Sequence, residues 1–206
     1  LSERFDMPVL FRTTTRISHS KSLVTLGERE EREVFPYRKN PGKYICAPAN
    51  AFRNHPKAEA NLRALEEYGS GCPLNRMEMR GTKTGVVTAS AAYQYAKDAF
   101  PEDTSFLKLG LTYPLPMKLI REFASKVETL YVIEELEPFM EEQIRAAGIP
   151  CSGKELTGNL YELNPQLLAE RIFRKRTPRV DVGVEAAPRP PVLCPGCPHR
   201  GFFYTM

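Results

Sequence analysis

From residue 84 to residue 147 the chain repeats one pattern three times: an apolar run of strand length, then a segment with helical spacing. The strand-length runs are 84–89, 105–111 and 129–133, and the helical segments are 91–100, 117–127 and 139–147. Strands of ~5 residues alternating with helices of ~10 residues call for parallel pairing, because a parallel neighbour is reached only through a crossover long enough to hold a helix. The runs are apolar at consecutive positions, as in Gly85-Val86-Val87, so both strand faces must be covered. Right-handed crossovers then place helices on the two sides of the sheet. The pattern predicts a doubly wound α/β domain with a mostly parallel sheet. Pro101 and Gly148 stop the first and third helices, and Ile149-Pro150-Cys151 is the candidate start of a fourth strand. Asn164, followed by Pro165, caps a last helix that runs to about Arg174.

The flanks are less regular. Residues 7–14 read as a strand in need of neighbours, fed by a short amphipathic turn at 1–5, and the polar stretch 13–20 is expected to leave the sheet edge. Residues 21–46 show no sustained period and carry Pro36, Pro41 and Gly42, which predicts an extended linker anchored at intervals by Phe35, Tyr37 and Tyr44. A helix opens at Asn54 or His55 with Pro56 in its first turn, continues through Leu62, Leu65 and Tyr68, and ends at Gly69 and Gly71. A charged strand follows at 76–80. Pro178, Pro188, Pro190 and Pro191 give a semi-rigid linker. The chain starts at Leu1 and stops in Gly-Phe-Phe-Tyr-Thr-Met, so both ends are expected to be cut from a longer protein.

Composition narrows the function classes. Hydrophobic residues make up 42% and no apolar run approaches the ~20 residues needed to cross a bilayer, so a membrane role is not expected. The net charge of +4 is small and its signs interleave, as in Glu28-Arg29-Glu30-Glu31-Arg32-Glu33, which argues against nucleic acid. Five widely spaced cysteines without a signal peptide point to reducing cytoplasm rather than a disulfide framework.

In an open parallel sheet, ligands sit beyond the carboxyl ends of the strands. Ser90, Tyr113 and Glu134 are the crevice candidates there, within Thr88-Ala89-Ser90, the loop 110–116 and Glu134-Glu135-Leu136-Glu137-Pro138. The hydroxyls of Thr88 and Ser90 stand near a helix N-terminus, where an anion is favoured. The loop lacks G-x-G-x-x-G, so a nucleotide site is unsupported. A purely structural reading has Ser90 capping its helix and Glu137 complementing the next helix dipole.

Cys194-Pro195-Gly196-Cys197 offers two thiolates for one metal or cluster, half of a four-ligand site, and His199 and Arg200 add a further ligand and a fixed positive charge. A zinc module through Cys194, Cys197 and His199 is a weaker alternative. A thioredoxin-type pair is disfavoured because the motif follows a Pro-rich linker. Cys46, Cys72 and Cys151 lack partners at ligand spacing and read as small buried or half-buried residues. Arg16, Ser18 and His19 form a polar surface cluster, and the basic stretch 171–179 complements a helix C-terminus.

Three separated segments carry a resemblance: Phe11-Arg12-Thr13-Thr14-Thr15-Arg16-Ile17-Ser18-His19-Ser20, the loops 110–116 and 134–138, and Cys194-Pro195-Gly196-Cys197-Pro198-His199-Arg200. In this order they resemble alpha subunits of the indolepyruvate branch of the thiamine-diphosphate-dependent 2-oxoacid:ferredoxin oxidoreductases. The resemblance implies the end of a pyrimidine-binding domain at 1–20, a linker with one helix at 21–75 and a transketolase C-terminal-like α/β domain at 76–176. A Pro-rich linker at 177–193 and the start of a pyrophosphate-binding domain at 194–206 would follow. It also implies oxidative decarboxylation of aryl 2-oxo acids such as indolepyruvate to acyl-CoA, with thiamine diphosphate, magnesium and 4Fe-4S clusters in the full-length enzyme. A beta subunit, ferredoxin and coenzyme A would be the partners. By position Cys194 and Cys197 would be cluster ligands, with His199 and Arg200 near the cofactor phosphates. The family's Gly-Asp-Gly-type motif, its ferredoxin-like cysteine run and most of its pyrimidine-binding domain are absent from this sequence. The chain is therefore expected to bind none of these cofactors by itself, to be inactive alone and to serve mainly architecture and subunit contact. The alternative is a stand-alone small-ligand-binding or assembly module.

Overall fold

The computed structural model describes the chain except for Glu30, Arg32, Glu33, Phe35, Thr177, Arg179, Asp181, Val182, Ala186, Arg189, Pro191, Cys194 and the side chain of Arg16. It divides into two units, Leu1–Arg176 and Thr177–Met206.

The first unit is built on four strands: β1 (Arg76–Glu78), β2 (Thr84–Ala89), β3 (Ser105–Leu109) and β4 (Thr129–Ile133). Their order across the sheet is β1-β3-β2-β4. β2 runs parallel to both neighbours, with Val87 opposite Leu107 on one side and Val132 on the other. β1 closes the β3 edge antiparallel, with Met77 opposite Leu107. At the other edge the expected fourth parallel strand shrinks to a single bridge between Tyr131 and Ser152. Pro150 has no N–H to give to a ladder, and Gly153 turns the chain straight into another helix.

Successive residues of each strand face opposite layers. Val87, Leu107, Leu109, Leu130 and Val132 pack under α6 (Met117–Ala124) and α7 (Phe139–Ala146), against Ile120, Phe123, Met140 and Ile144. Val86, Phe106 and Ile133 pack on the other face under α5 (Ser90–Ala99) and α9 (Pro165–Phe173), against Tyr93, Ala96 and Leu168. The observed architecture is thus the doubly wound, mostly parallel α/β fold. The buried Thr88 hydroxyl donates 2.7 Å to the Ile133 carbonyl, which satisfies it and ties β2 to β4. Asn164 caps α9 by accepting from the Leu167 N–H at 2.8 Å.

Outside this core, α4 (Pro48–Gly71) differs from expectation by starting two turns early, with Pro56 inside it. Pro56 removes the hydrogen bond that the Phe52 carbonyl would accept, and both residues are exposed, so water can serve that carbonyl. Asn75 locks the far end of α4 to the sheet. It donates 2.8 Å to the Gly69 carbonyl, while its side-chain oxygen accepts from the Gly110 and Leu111 N–H groups at 2.8 and 2.9 Å.

Residues 7–14 form no strand, and Leu10 and Phe11 are 93% and 87% exposed. Strand propensity without a hydrogen-bonding neighbour does not suffice. The polar stretch after them turns into a short helix, α2 (Thr15–His19), because the Thr14 hydroxyl accepts from the Ile17 N–H. Short helices α1 (Ser2–Phe5) and α3 (Pro41–Tyr44) lie against α4. Phe35 and some of its neighbours in the expected linker lie outside the described residues. In the second unit a turn at Pro195 and Gly196 precedes α10 (Pro198–Thr205). Among the described residues no helix is long and apolar enough to cross a membrane.

Gly85 sets the distance between sheet and helix. A Cβ there would meet the Val127 methyls at 2.8 and 2.9 Å and the Phe123 ring at 3.0 Å. Gly85→Ala is therefore expected to lower unfolding free energy by about 1–3 kcal/mol, as overpacking does. Urea unfolding checks this, and an unchanged midpoint would show that the α6 end yields freely.

Candidate functional site

The chain leaves β2 towards one face of the sheet, into α5, and leaves β3 and β4 towards the other, into α6 and α7. Loops that diverge in this way open a crevice beyond the strand ends. A cleft of about 400 Å³ lies there. β2 and α5 contribute Ala89, Ser90 and Ala92, the β3 loop contributes Thr112, and the segment 134–140 forms the opposite wall. Arg12 and Thr14 from the N-terminal segment complete the lining.

Ser90 and Glu134 are brought together as expected from the strand ends. Tyr113 is not a lining residue: it is 60% exposed, and its ring stands 6.3 Å from that of Phe139, which does line the cleft. Ser90 also departs from its structural reading. The N-cap of α5 is Ala89, no side chain caps that helix, and Ser90 sits in the left-handed region at φ 54°. A non-glycine residue held there costs of order 1–3 kcal/mol. The hydroxyl has no hydrogen bond among the described residues, and the first N–H groups of α5 remain without a side-chain acceptor.

The end of α7 is the reverse case. The nearly buried Glu134 carboxylate accepts from the Met140 N–H at 2.9 Å and from the Glu141 N–H at 2.9 Å, so it fills the anion position of that helix itself. Glu135 accepts from the Leu163 N–H at 3.1 Å, and Glu137 from the Asn159 amide at 3.2 Å rather than acting on the helix end. Lys154, in the short helix α8 (Lys154–Thr157), donates 2.5 Å to the Glu134 carbonyl and pins the loop from below. Its ammonium is pushed to a lower pKa by burial, against the pull of Glu134 and Glu141. Glu141 is buried too, held by Arg145 at 2.9 Å and the Lys154 N–H at 2.8 Å. Gly153 lets the chain pass this pair, since a Cβ would come within 2.6 Å of the Glu141 carboxyl carbon. The three loop carboxylates therefore hold the wall of the cleft. Chemically, the cleft offers one uncapped helix N-terminus, a hydroxyl and an arginine to an anionic group, and the apolar surface of Ala92, Leu136, Phe139 and Met140 to its body.

The other expected residues lie elsewhere. Cys197 precedes α10, with its Sγ 3.4 Å from His199 Nδ1, and Arg200 is exposed in the first turn. Cys194 lies outside the described residues. Among the described residues no three metal-binding side chains gather. Cys72 is buried, Cys151 is half-buried with its thiol pushed up by burial, and Cys46 is exposed, contrary to expectation, because its segment rests on no core. Arg12, Thr14 and Lys154 were not singled out by sequence reasoning as lining or supporting residues. Only the fold brings them to this crevice.

Comparison with known proteins places the chain. No family model matches it. The indolepyruvate oxidoreductase subunit IorA of Thermococcus kodakarensis is 34% identical to it, and that of Methanothermobacter thermautotrophicus 37%, each over the whole chain. The chain is similar to these IorA subunits along its whole length. It spans 36% of the length of these IorA relatives. A solved 2-oxoglutarate:ferredoxin oxidoreductase from Magnetococcus marinus, with 2-oxoglutarate, coenzyme A and succinyl-CoA bound, has a TM-score of 0.48 at 16% identity, covering 63% of this chain and 24% of that one.

In the wall of the cleft, burial raises the Glu134 pKa, partly offset by the two N–H donors and Lys154. A carboxylate raised in the folded state contributes its stability below its ordinary value of about 4.3 and loses it as pH rises through the folded value. Glu134→Gln lacks this titration. Wild type is expected to lose stability relative to the variant as pH climbs through that window, measured by urea unfolding at successive pH values. A difference that stays constant with pH would sink this account.

Proposed function

We propose that this chain is part of the alpha subunit of an enzyme that oxidatively decarboxylates aryl 2-oxo acids, indolepyruvate among them, to acyl-CoA with ferredoxin as electron acceptor. The observation that carries the reading is 29–37% identity to IorA subunits over the entire chain. In this reading the described α/β domain supports architecture and contact with a beta subunit, and the polypeptide of 206 residues is inactive alone.

The second unit is proposed to meet the cofactors. α10 has no acidic residue in its first turn, no side-chain cap, and Arg200 in that turn. These features suit a diphosphate, so His199 and Arg200 would hold that end of thiamine diphosphate with its magnesium. Bound there, the cofactor would supply the carbanion-stabilising ylid. Cys197, half-buried with a ring nitrogen beside its sulfur, suits a soft metal ligand, and with Cys194 it would contribute two thiolates to a 4Fe-4S cluster. Arg200 would orient the diphosphate, and the Cys197–His199 contact would hold the thiol at the helix start.

A second reading rests on the cleft. Its uncapped α5 terminus, free Ser90 hydroxyl and Arg12 favour a stand-alone small-ligand-binding or assembly module that takes an anion.

The full gene product, co-expressed with its partner subunit, should reduce ferredoxin only when indolepyruvate and coenzyme A are both present. Reduction that ignores either one overturns the proposal. The chain of 206 residues is expected to show no thermal shift with thiamine diphosphate and magnesium. Binding at a hundred times the dissociation constant would add ~2.7 kcal/mol of stability.

A further inference from the structure

Apart from the crevice at the strand ends, a second cleft of about 470 Å³ opens between α4 and the segment that carries α3. Arg53, Asn54, Lys57, Ala58 and Asn61 line it from α4, spaced so that they share one helical face with Ala58 as a low floor. Asn40, Gly42 and Lys43 form the opposite wall, and Asp6 closes one end. Three cations and one carboxylate thus surround the cavity. Lys43 is held by Asp6 at 2.5 Å. One arm of Arg53 donates to Asn50 at 2.6 Å, which fixes the guanidinium, and the small Gly42 lets it approach, since a Cβ there would lie 3.3 Å from it. Lys57 and Asn61 have no hydrogen-bond or ion-pair partner among the described residues.

Packing alone does not call for this arrangement, because α4 buries only Leu65 and Gly69. Like charges on facing walls repel and are ordinarily spread over a surface. A fixed guanidinium offers paired N–H donors to phosphate oxygens, and ammonium groups add point charge. The volume falls in the range of small-ligand pockets, while the lining is too polar for an apolar body. We propose that this cleft binds the diphosphate group of a small molecule, with Arg53 as the directional donor and Lys57 and Lys43 neutralising its charge. The site stands apart from the reaction proposed above and does not depend on it.

Amine-selective labelling of the full gene product, read residue by residue by mass spectrometry, tests this without interference from any other diphosphate site. Inorganic diphosphate without magnesium should slow labelling of Lys57 and Lys43 at least fivefold and leave Lys118 and Lys126 unchanged. Orthophosphate at the same concentration should protect less. In Arg53→Ala the protection of Lys57 should disappear, while circular dichroism and labelling of the remaining lysines stay as in wild type. Protection that persists in Arg53→Ala, equal protection by orthophosphate, or no protection of Lys57 in the wild type would each overturn the proposal.

Discussion

Three central strands whose two faces are both apolar cannot fold until two helical layers cover them, and that requirement shapes the first unit. Val86 and Val87, Phe106 and Leu107, and Val132 and Ile133 send neighbouring side chains to opposite layers. Each fully buried side chain of this kind contributes about 1.5–3 kcal/mol relative to exposure. α5 and α9 must therefore sit on one side, and α6 and α7 on the other. Because β2 feeds the first layer while β3 and β4 feed the second, the loops part at the strand ends and leave a cleft. The crevice follows from the topology whatever residues later line it.

The residues that line it settle its polarity by treating two similar helix ends in opposite ways. Each helix start presents N–H groups without partners inside the helix. At α7 the chain turns back and inserts its own Glu134 carboxylate, a substitute for an external anion. That choice drags an ion into a nearly buried place, and Lys154 beneath the loop compensates part of the cost. At α5 no such substitute exists, since Ser90 occupies the left-handed region with its hydroxyl uncommitted. The cleft thus has a wall closed to anions and an end open to them.

This contrast explains which parts of the site could be read in advance. The strands could be, because consecutive apolar positions bounded by Pro and Gly leave few alternatives, and β2 and β4 fall where the pattern puts them. Asn164-Pro165 likewise announces α9 through chemistry confined to four residues. The role of Glu134 could not be read, because its partners Met140 and Glu141 become partners only once Leu136 adopts a positive φ and folds the loop back. Arg12 reaches the cleft over a separation of more than seventy residues from Ser90, and no local period records that. The exposed segment 7–14 shows the opposite failure: its alternation is real, but a strand is a property of a pair.

Charge obeys the same distinction between local pattern and assembled structure. Opposite signs interleave along the chain and nearly cancel to +4, which describes the field at a distance. Close to the surface the relevant length is the screening length of about 8 Å at physiological ionic strength, so each cleft feels only the charges around it. Around one cleft the fold assembles Glu134, Glu135 and Glu137 against a single arginine, and around the other Lys43, Arg53 and Lys57 against a single aspartate. Both sets come from stretches that are one-signed in the sequence itself, since residues 134–142 carry only acidic charges and residues 38–57 only basic ones. Helical spacing creates the second set, since Arg53 and Lys57 stand one turn apart on α4 while Glu59 turns to another face and meets His55. A chain of small net charge can therefore hold acidic and basic groups apart, and the fold decides which of them are already engaged, as Glu134, Glu135 and Glu137 are by N–H donors.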